Sequence, residues 1–361
     1  MRHSNNWQRL LIFGLSGPVI ALNIWLISQV FRYFEHLITI LSIAAILAFL
    51  LNYAVQTLQR FRISRNRAVV IVLLTTLTLF VVLGVTLVPS VITQTTELFK
   101  QIPEWLKASN ENFNKLDDWV AARRLPIDLK IFRDRINSTI EAQVQTAATQ
   151  AVGWAGILVS RLLDFVLVLV LTFYILLYGD RLWQGIINLL PIQIGLPLTQ
   201  SLRLNFQNFF ISQILLGLFM AGILTPIFLA LRVEFALLFA LLIGFAELIP
   251  FIGATLGIGL VTILVMLQNF GLAIQVAIAC VIMQQIKDNL LAPKLMGDFI
   301  GLNPILIFVA LLIGGQIAGL LGIIVSVPIA GTIKGTIDNI RALRQAPEVA
   351  TQPPVTTDFN M

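Results

Sequence analysis

One carboxylate, Glu247, is the only charged residue in the apolar run from Phe235 to Ile286, and it stands just ahead of Pro250. An acid in such a setting marks a solute or proton pathway by default, because desolvating it is too costly without a use. The competing reading is an acid that merely reaches an interface at a helix end. Between Leu237 and Leu267 there is no Lys, Arg or His, so Glu247 is expected to have no basic partner on its own segment, and only a distant helix such as the one bearing Arg161 offers one. Gln284, Gln285 and Asn289 are the amides placed to assist it. Catalysis has little to build on: there is no Ser-His or Cys-His set, no H-E-x-x-H and no G-x-x-x-x-G-K-[ST] phosphate cradle. No ATP motor is therefore expected in this chain. Two histidines, His3 and His36, and a single cysteine, Cys280, provide neither a metal cluster nor a disulfide framework, and no cofactor is expected.

The same region concentrates helix breakers. Thirteen of the 23 glycines fall between Gly244 and Gly335, and Gly253 with Gly257, Gly297 with Gly301, Gly315 with Gly319, and Gly331 with Gly335 form small-xxx-small pairs where helix backbones can approach closely. They coincide with prolines at Pro250, Pro293, Pro304 and Pro328. Broken helices free backbone amides and carbonyls, which a membrane tolerates only where they are buried in protein or line a polar cavity. Glu247, Pro250, Gly253, Gln284, Gln285, Asn289, Pro293, Asn303 and Pro304 are accordingly the pathway candidates. Gly257, Gly297, Gly301, Gly315, Gly319, Gly322 and Pro328 are candidates for breaks and close packing.

The elements that must hold these residues are membrane helices. Of 361 residues 58% are hydrophobic and 12% charged, with a mean hydropathy of +0.90, beyond what a water-soluble domain tolerates. Uncharged runs of about 20 residues, the length that crosses a 30 Å hydrocarbon core, recur along the chain. Leu10–Ser28, Leu37–Val55 and Ala68–Val88 are expected to be three helices, the last ended by Pro89 and Ser90. Residues 94–150 carry eight basic and eight acidic residues with apolar positions at helical spacing. They are expected to form an extramembrane insert of two amphipathic helices divided near Leu125-Pro126, packed together or on the membrane surface. Ile157–Tyr178 is a fourth span, in which Arg161 and Asp164 share a face and form an ion pair. Phe209–Leu231 is a fifth. Phe235–Ile286 is divided into Phe235–Pro250, Gly253–Leu267 and Leu272–Ile286. Leu302–Ile333, uncharged but rich in glycine, reads as two half-helices around a break.

The predicted fold is thus all-α: about eight transmembrane helices plus a C-terminal re-entrant or broken pair. Four regions follow: an N-terminal membrane region over 1–89, the insert over 90–154, a membrane core over 155–340 and a disordered tail over 341–361. The net charge of +6 is a topology signal rather than a nucleic-acid surface. Arg2, Arg9, the cluster Arg60, Arg62, Arg65 and Arg67, then Arg181, Arg203, Lys287, Lys294, Lys334, Arg341 and Arg344 all fall on one side, the cytoplasmic one. Both termini are then cytoplasmic and the insert lies outside, provided Leu302–Ile333 enters and leaves by the same face. A single broken ninth span is the alternative.

Ile249-Pro250-Phe251-Ile252-Gly253, the segment N-L-L-A-P-K-L-M-G from Asn289 to Gly297, the following Gly301-Leu302-Asn303-Pro304, and the pattern of Gly315, Gly319, Gly322 and Pro328 together resemble the C-terminal core of the autoinducer-2 exporter family. The resemblance runs from about Leu10 to Asn339. Where the family often has proline after the glycine of I-P-x-x-G this chain has Ala254, and where it often has histidine before the later proline this chain has Asn303. The resemblance implies a permease of the bacterial plasma (inner) membrane that exports a small polar or amphiphilic metabolite such as a furanone-type signal, works within membrane lipid and forms a homo-oligomer. Two alternatives stand beside it: a monovalent-cation (Na+)/proton antiporter, and a non-transporting membrane scaffold.

Overall fold

The computed structural model describes residues 32–122, 161–250, 252–296 and 302–345, with scattered positions between 18 and 30, and every regular element among them is helical. In chain order these are α1 (Glu35–Arg60), α2 (Arg65–Ala122), α3 (Arg161–Ile187), α4 (Ile192–Ala230), α5 (Ala236–Ala246), α6 (Gly253–Gln268), α7 (Phe270–Ile286), α8 (Ala292–Met296) and α9 (Pro304–Gln345). A π-helical turn, Lys287–Leu291, joins α7 to α8. Among the described residues six stretches are long and apolar enough to cross a membrane: Glu35–Arg60, Arg65–Trp105, Arg161–Ile187, Ile192–Ala230, Phe270–Leu295 and Pro304–Ala342. Large apolar side chains such as Leu74, Leu163, Leu218 and Ile317 point outward from them, a surface suited to lipid. The protein is a multi-pass membrane protein.

The expectation that Pro89 and Ser90 end the third helix is corrected: α2 runs through both Pro89 and Pro103 without a break. A proline inside a helix removes one backbone hydrogen bond, but packing of the flanking turns can hold the helix together. Here Leu98 and Ile102 are buried in the main core with Val233 and Phe235, and the Trp105 ring lies 6.0 Å from that of Phe235. The apolar stripe expected of the insert's first helix therefore continues the third span and docks on the turn between α4 and α5. The insert beyond 122, including the division at Leu125-Pro126, lies outside the described residues, as do most of the first expected helix and the tail from 346.

Phe235–Ile286 does resolve into three helices, α5, α6 and α7. The first two are short. At 1.5 Å per residue, α5 extends about 17 Å and α6 about 24 Å, less than the ~30 Å of hydrocarbon. They run antiparallel, since Gly257 of α6 packs on Ile243 and Ala246 of α5, and form a hairpin whose tip carries Glu247, Pro250 and Ile252.

A second hairpin is α9. Its helical geometry fails at Ala318 and Gly319, and the backbones of Gly314 and Gly322 touch across the break. Residues eight apart in a straight helix would be about 12 Å apart, so the two arms fold back on each other. The second arm runs antiparallel to α4: Gly331 lies against Asn205 and Gly335 against Ser201, while Asn339 Nδ2 donates to Ser201 Oγ at 3.2 Å. Both hairpins thus pack on α4, the span with the largest buried share among the described residues.

Candidate functional site

Glu247 is placed by a close helix crossing. Gly217 of α4 and Gly244 of α5 meet backbone to backbone: a Cβ on Gly217 would lie 2.6 Å from the Gly244 carbonyl oxygen and 3.8 Å from Glu247 Cβ. Only a residue without a side chain permits that approach. One turn earlier on α4, Gln213 Nε2 donates a short hydrogen bond to the Glu247 carbonyl oxygen. The α5 helix ends here, with Leu248 and Ile249 amides bonding carbonyls three residues back, so this carbonyl lies among the orphan acceptors of a helix C-terminus. Gln213 satisfies it with a side chain that is itself buried.

The carboxylate is not alone. Lys287 Nζ donates to Glu247 Oε1 at 2.8 Å and to Oε2 at 2.9 Å, with the two side chains only 6% and 5% exposed. This corrects two expectations. Lys287 is no cytoplasmic loop charge, and Glu247 does have a basic partner, supplied by the π-helical turn at the end of α7. Arg161, the helix considered as a source, is occupied elsewhere: its Nη1 donates to Asp164 Oδ2 at 3.0 Å, as the spacing implied, and His36 Nε2 joins the same carboxylate at 3.1 Å. Lys287 Nζ also lies 3.1 Å from Oδ1 of Asp288, which is half exposed. Two carboxylates of unequal exposure thus share one ammonium. A charge pair in so little water holds only because the geometry is bidentate; breaking it leaves an uncompensated buried charge.

The pair lines a cavity of about 410 Å³ bounded by the α5–α6 tip, α4, the α7 end and both arms of α9. Pro250, Ala254 and Thr255 form its α6 side, and Leu302, Ile307 and Val327 its α9 side. Gln284, one helical turn before Lys287, faces it too, and its Oε1 is buried with no hydrogen-bond partner among the described residues. An acceptor so placed is satisfied by whatever polar group occupies the space.

The remaining candidates are distributed around this cavity rather than in it. Gly253 and Gly257 are packing positions, with no room for a Cβ at Gly253 against Ala246. Asn289 Nδ2 donates to Gln285 Oε1 at 3.0 Å on an exposed face, and Pro293 is exposed on α8. Asn303 Oδ1 accepts from the Ile305 amide at 3.0 Å, capping α9, which Pro304 begins. Gly315 packs on Ile323, Gly319 makes the turn and Gly322 meets Gly314. The Pro328 carbonyl accepts from Thr332 Oγ1. Gly297 and Gly301 lie outside the described residues. Sequence reasoning missed Gln213, Lys287 and Asp288. The signal was present for the last two, since Gln284, Lys287 and Asp288 stand at i, i+3 and i+4 on one helical face.

Comparison with known proteins places the chain in a family. The family model described as AI-2E family transporter matches residues 15–342. A Synechocystis protein named as a transport protein, sll0063, is 40% identical over 344 residues, covering 94% of this chain and 87% of its own. The permease PerM of Escherichia coli K12 is 28% identical over 323 residues, 84% of this chain and 88% of its own. A sodium-lithium/proton antiporter of Halobacillus andaensis is 26% identical over 305 residues, covering 79% and 84%. With a match along nearly the whole chain and a relative at 40% identity, this protein belongs to the AI-2E family of membrane transporters.

Proposed function

We propose that this permease exports a small polar metabolite, of the furanone-signal type suggested by its family, through the cavity that holds Glu247 and Lys287. The observation that carries the reading is the buried ion pair at the meeting of two broken helical hairpins, beside a Gln284 oxygen that has no partner among the described residues. A cavity of about 410 Å³ falls within the range of small-molecule sites, roughly 300–1,000 Å³, and exceeds what a bare cation needs. Its charged and amide groups suit a compact solute bearing hydroxyl and carbonyl groups. Driving force would come from an ion gradient or from the solute's own gradient. In the proposed topology α5–α6 and α9 dip into the membrane from opposite faces. Counting α5 and α6 as two crossings or as none leaves the sidedness of α7 and the C-terminus unchanged, so the charge-derived placement of both termini in the cytoplasm stands either way.

A cation/proton antiporter is the second reading, and one observation favours it. Asp288 brings a second carboxylate to Lys287, so the ammonium occupies a place where a monovalent cation could compete. Purified protein in liposomes distinguishes the two. With a furanone-type solute inside and a pH dye outside, the permease reading expects solute efflux above protein-free vesicles, with no need for sodium or lithium. Proton movement on adding sodium or lithium, with no solute flux, would establish the antiporter instead.

A further inference from the structure

A second cavity, of about 480 Å³, lies between α1, α3 and α4 beside the first residue of α2, apart from the Glu247 site. Its chemistry is graded. At one end its wall is Ala45, Ile46 and Phe49; at the other it is Gln56, Arg65, Asp180, Trp183 and Arg203. On α1 alone, Ala45 to Gln56 covers about 16 Å of helix, so the cavity passes from an apolar to a charged lining over about half a bilayer.

The two arginines have different duties. Arg65 is engaged within the protein through all three nitrogens: Nε and Nη2 donate to the Leu176 carbonyl oxygen at 3.3 and 2.9 Å, and Nη1 pairs with Asp180 at 2.7 Å. It ties the start of α2 to the end of α3 and its charge is neutralised there. Arg203 is exposed, and its bond to Gln56 Oε1 at 3.1 Å takes one of the five N–H groups a guanidinium carries. Trp183 donates its ring N–H to Thr199 Oγ1 at 3.0 Å, which fixes the indole as a wall. Tyr53 and Trp183 line the charged half, the ring types that sit at headgroup depth.

We infer that this cavity binds an anionic phospholipid, its phosphodiester on Arg203 and one acyl chain along the Ala45–Phe49 face of α1. A guanidinium fork matches two phosphoryl oxygens of a phosphodiester, and basic pockets between membrane helices are recognised headgroup sites. Free phosphate would satisfy Arg203 but leave the apolar end filled with water. A neutral-zwitterionic lipid would bring a quaternary ammonium toward Arg203, whereas a phosphatidylglycerol headgroup adds only hydroxyls.

Native mass spectrometry of the full chain in mild detergent, titrated with phosphatidylglycerol or phosphatidylcholine of equal chain length, tests the assignment. Wild type is expected to hold phosphatidylglycerol at least about tenfold more tightly. Arg203→Gln should bring it to the phosphatidylcholine level, while Arg341→Gln, an exposed arginine on α9, should not. Ala45→Trp fills the apolar end at an exposed position and should weaken phosphatidylglycerol as well; it supplies the same reading should Arg203→Gln not fold. Equal binding of the two lipids, unchanged binding by Arg203→Gln or Ala45→Trp, or displacement of phosphatidylglycerol by millimolar inorganic phosphate overturns the inference.

Discussion

Glu247 and Lys287 are each other's principal counter-charge inside the protein, and that mutual dependence predicts how they respond to substitution. Removing one member of a buried pair leaves the other unpaired, at a cost of about 3–5 kcal/mol, whereas neutralising both together costs far less. Glu247→Gln and Lys287→Gln should therefore each lower the thermal midpoint in detergent by several degrees, and the double variant should recover most of the loss. Transport should not recover with it. If the pair lies on the pathway, the double variant will fold yet move solute at under a tenth of the wild-type rate; wild-type flux from that variant would reduce the pair to a structural tie. The carboxylate was legible in the sequence as the sole charge of its run. Lys287 was not, because a lysine at the end of an apolar segment reads as a loop cation when the segment is assumed to stop there. The π-helical turn Lys287–Leu291 continues the helix past that point and turns the lysine inward.

At the scale of elements, the breaks were easier to locate than the lengths. Proline was read as a stop at Pro89, but α2 continues through it to the packed stretch of Leu98, Ile102 and Trp105. Near Pro250 and Gly319 the glycine and proline spacing did mark real interruptions. The difference is in the backbone at the break: at Pro89 the helix continues through both flanking turns, while at Gly319 the chain reverses. Gly319 has φ 55 and ψ −136, a conformation open to glycine, and a Cβ there would meet nothing within 4 Å. Alanine would suffer from backbone strain alone, of about 1–3 kcal/mol. Gly259, in the interior of α6, also has open space around it, but its backbone is helical, where alanine is favoured by up to about 1 kcal/mol. Gly319→Ala should thus lower the thermal midpoint while Gly259→Ala leaves or raises it. Equal effects of the two would mean that the reversal at Gly319 does not exist in the folded protein.

For the whole molecule, sidedness connects the two hairpins to the pathway between them. The tendency of basic residues in connections to stay on the cytoplasmic side is the reason to expect the Arg62 loop there, together with α8 at Lys294 and the end of α9 at Arg344. Moving Lys287 from a loop into the core removes one charge from that count without altering its sense, because Lys294, Lys334, Arg341 and Arg344 remain. Lys294 precedes α9 and Arg344 stands at its far end, so they share a face only if α9 returns to the face it entered. The contact of Gly314 with Gly322 and the antiparallel run of Gly331 and Gly335 along α4 require that return within the protein. Cys280 is buried and can be replaced by alanine to give a background without reactive thiols. In that background, cysteines introduced singly at Arg62, Lys294 and Arg344 should be blocked only by a reagent that reaches the cytoplasm. One at Asn112, on the far part of α2 in the charged insert, should be blocked by a membrane-impermeant maleimide added to intact cells. Labelling of Lys294 and Arg344 positions from opposite faces would make α9 a crossing helix. The second arm, the α4 contacts and one wall of the Glu247 cavity would then have to be rebuilt around a span that the Gly314–Gly322 contact does not allow.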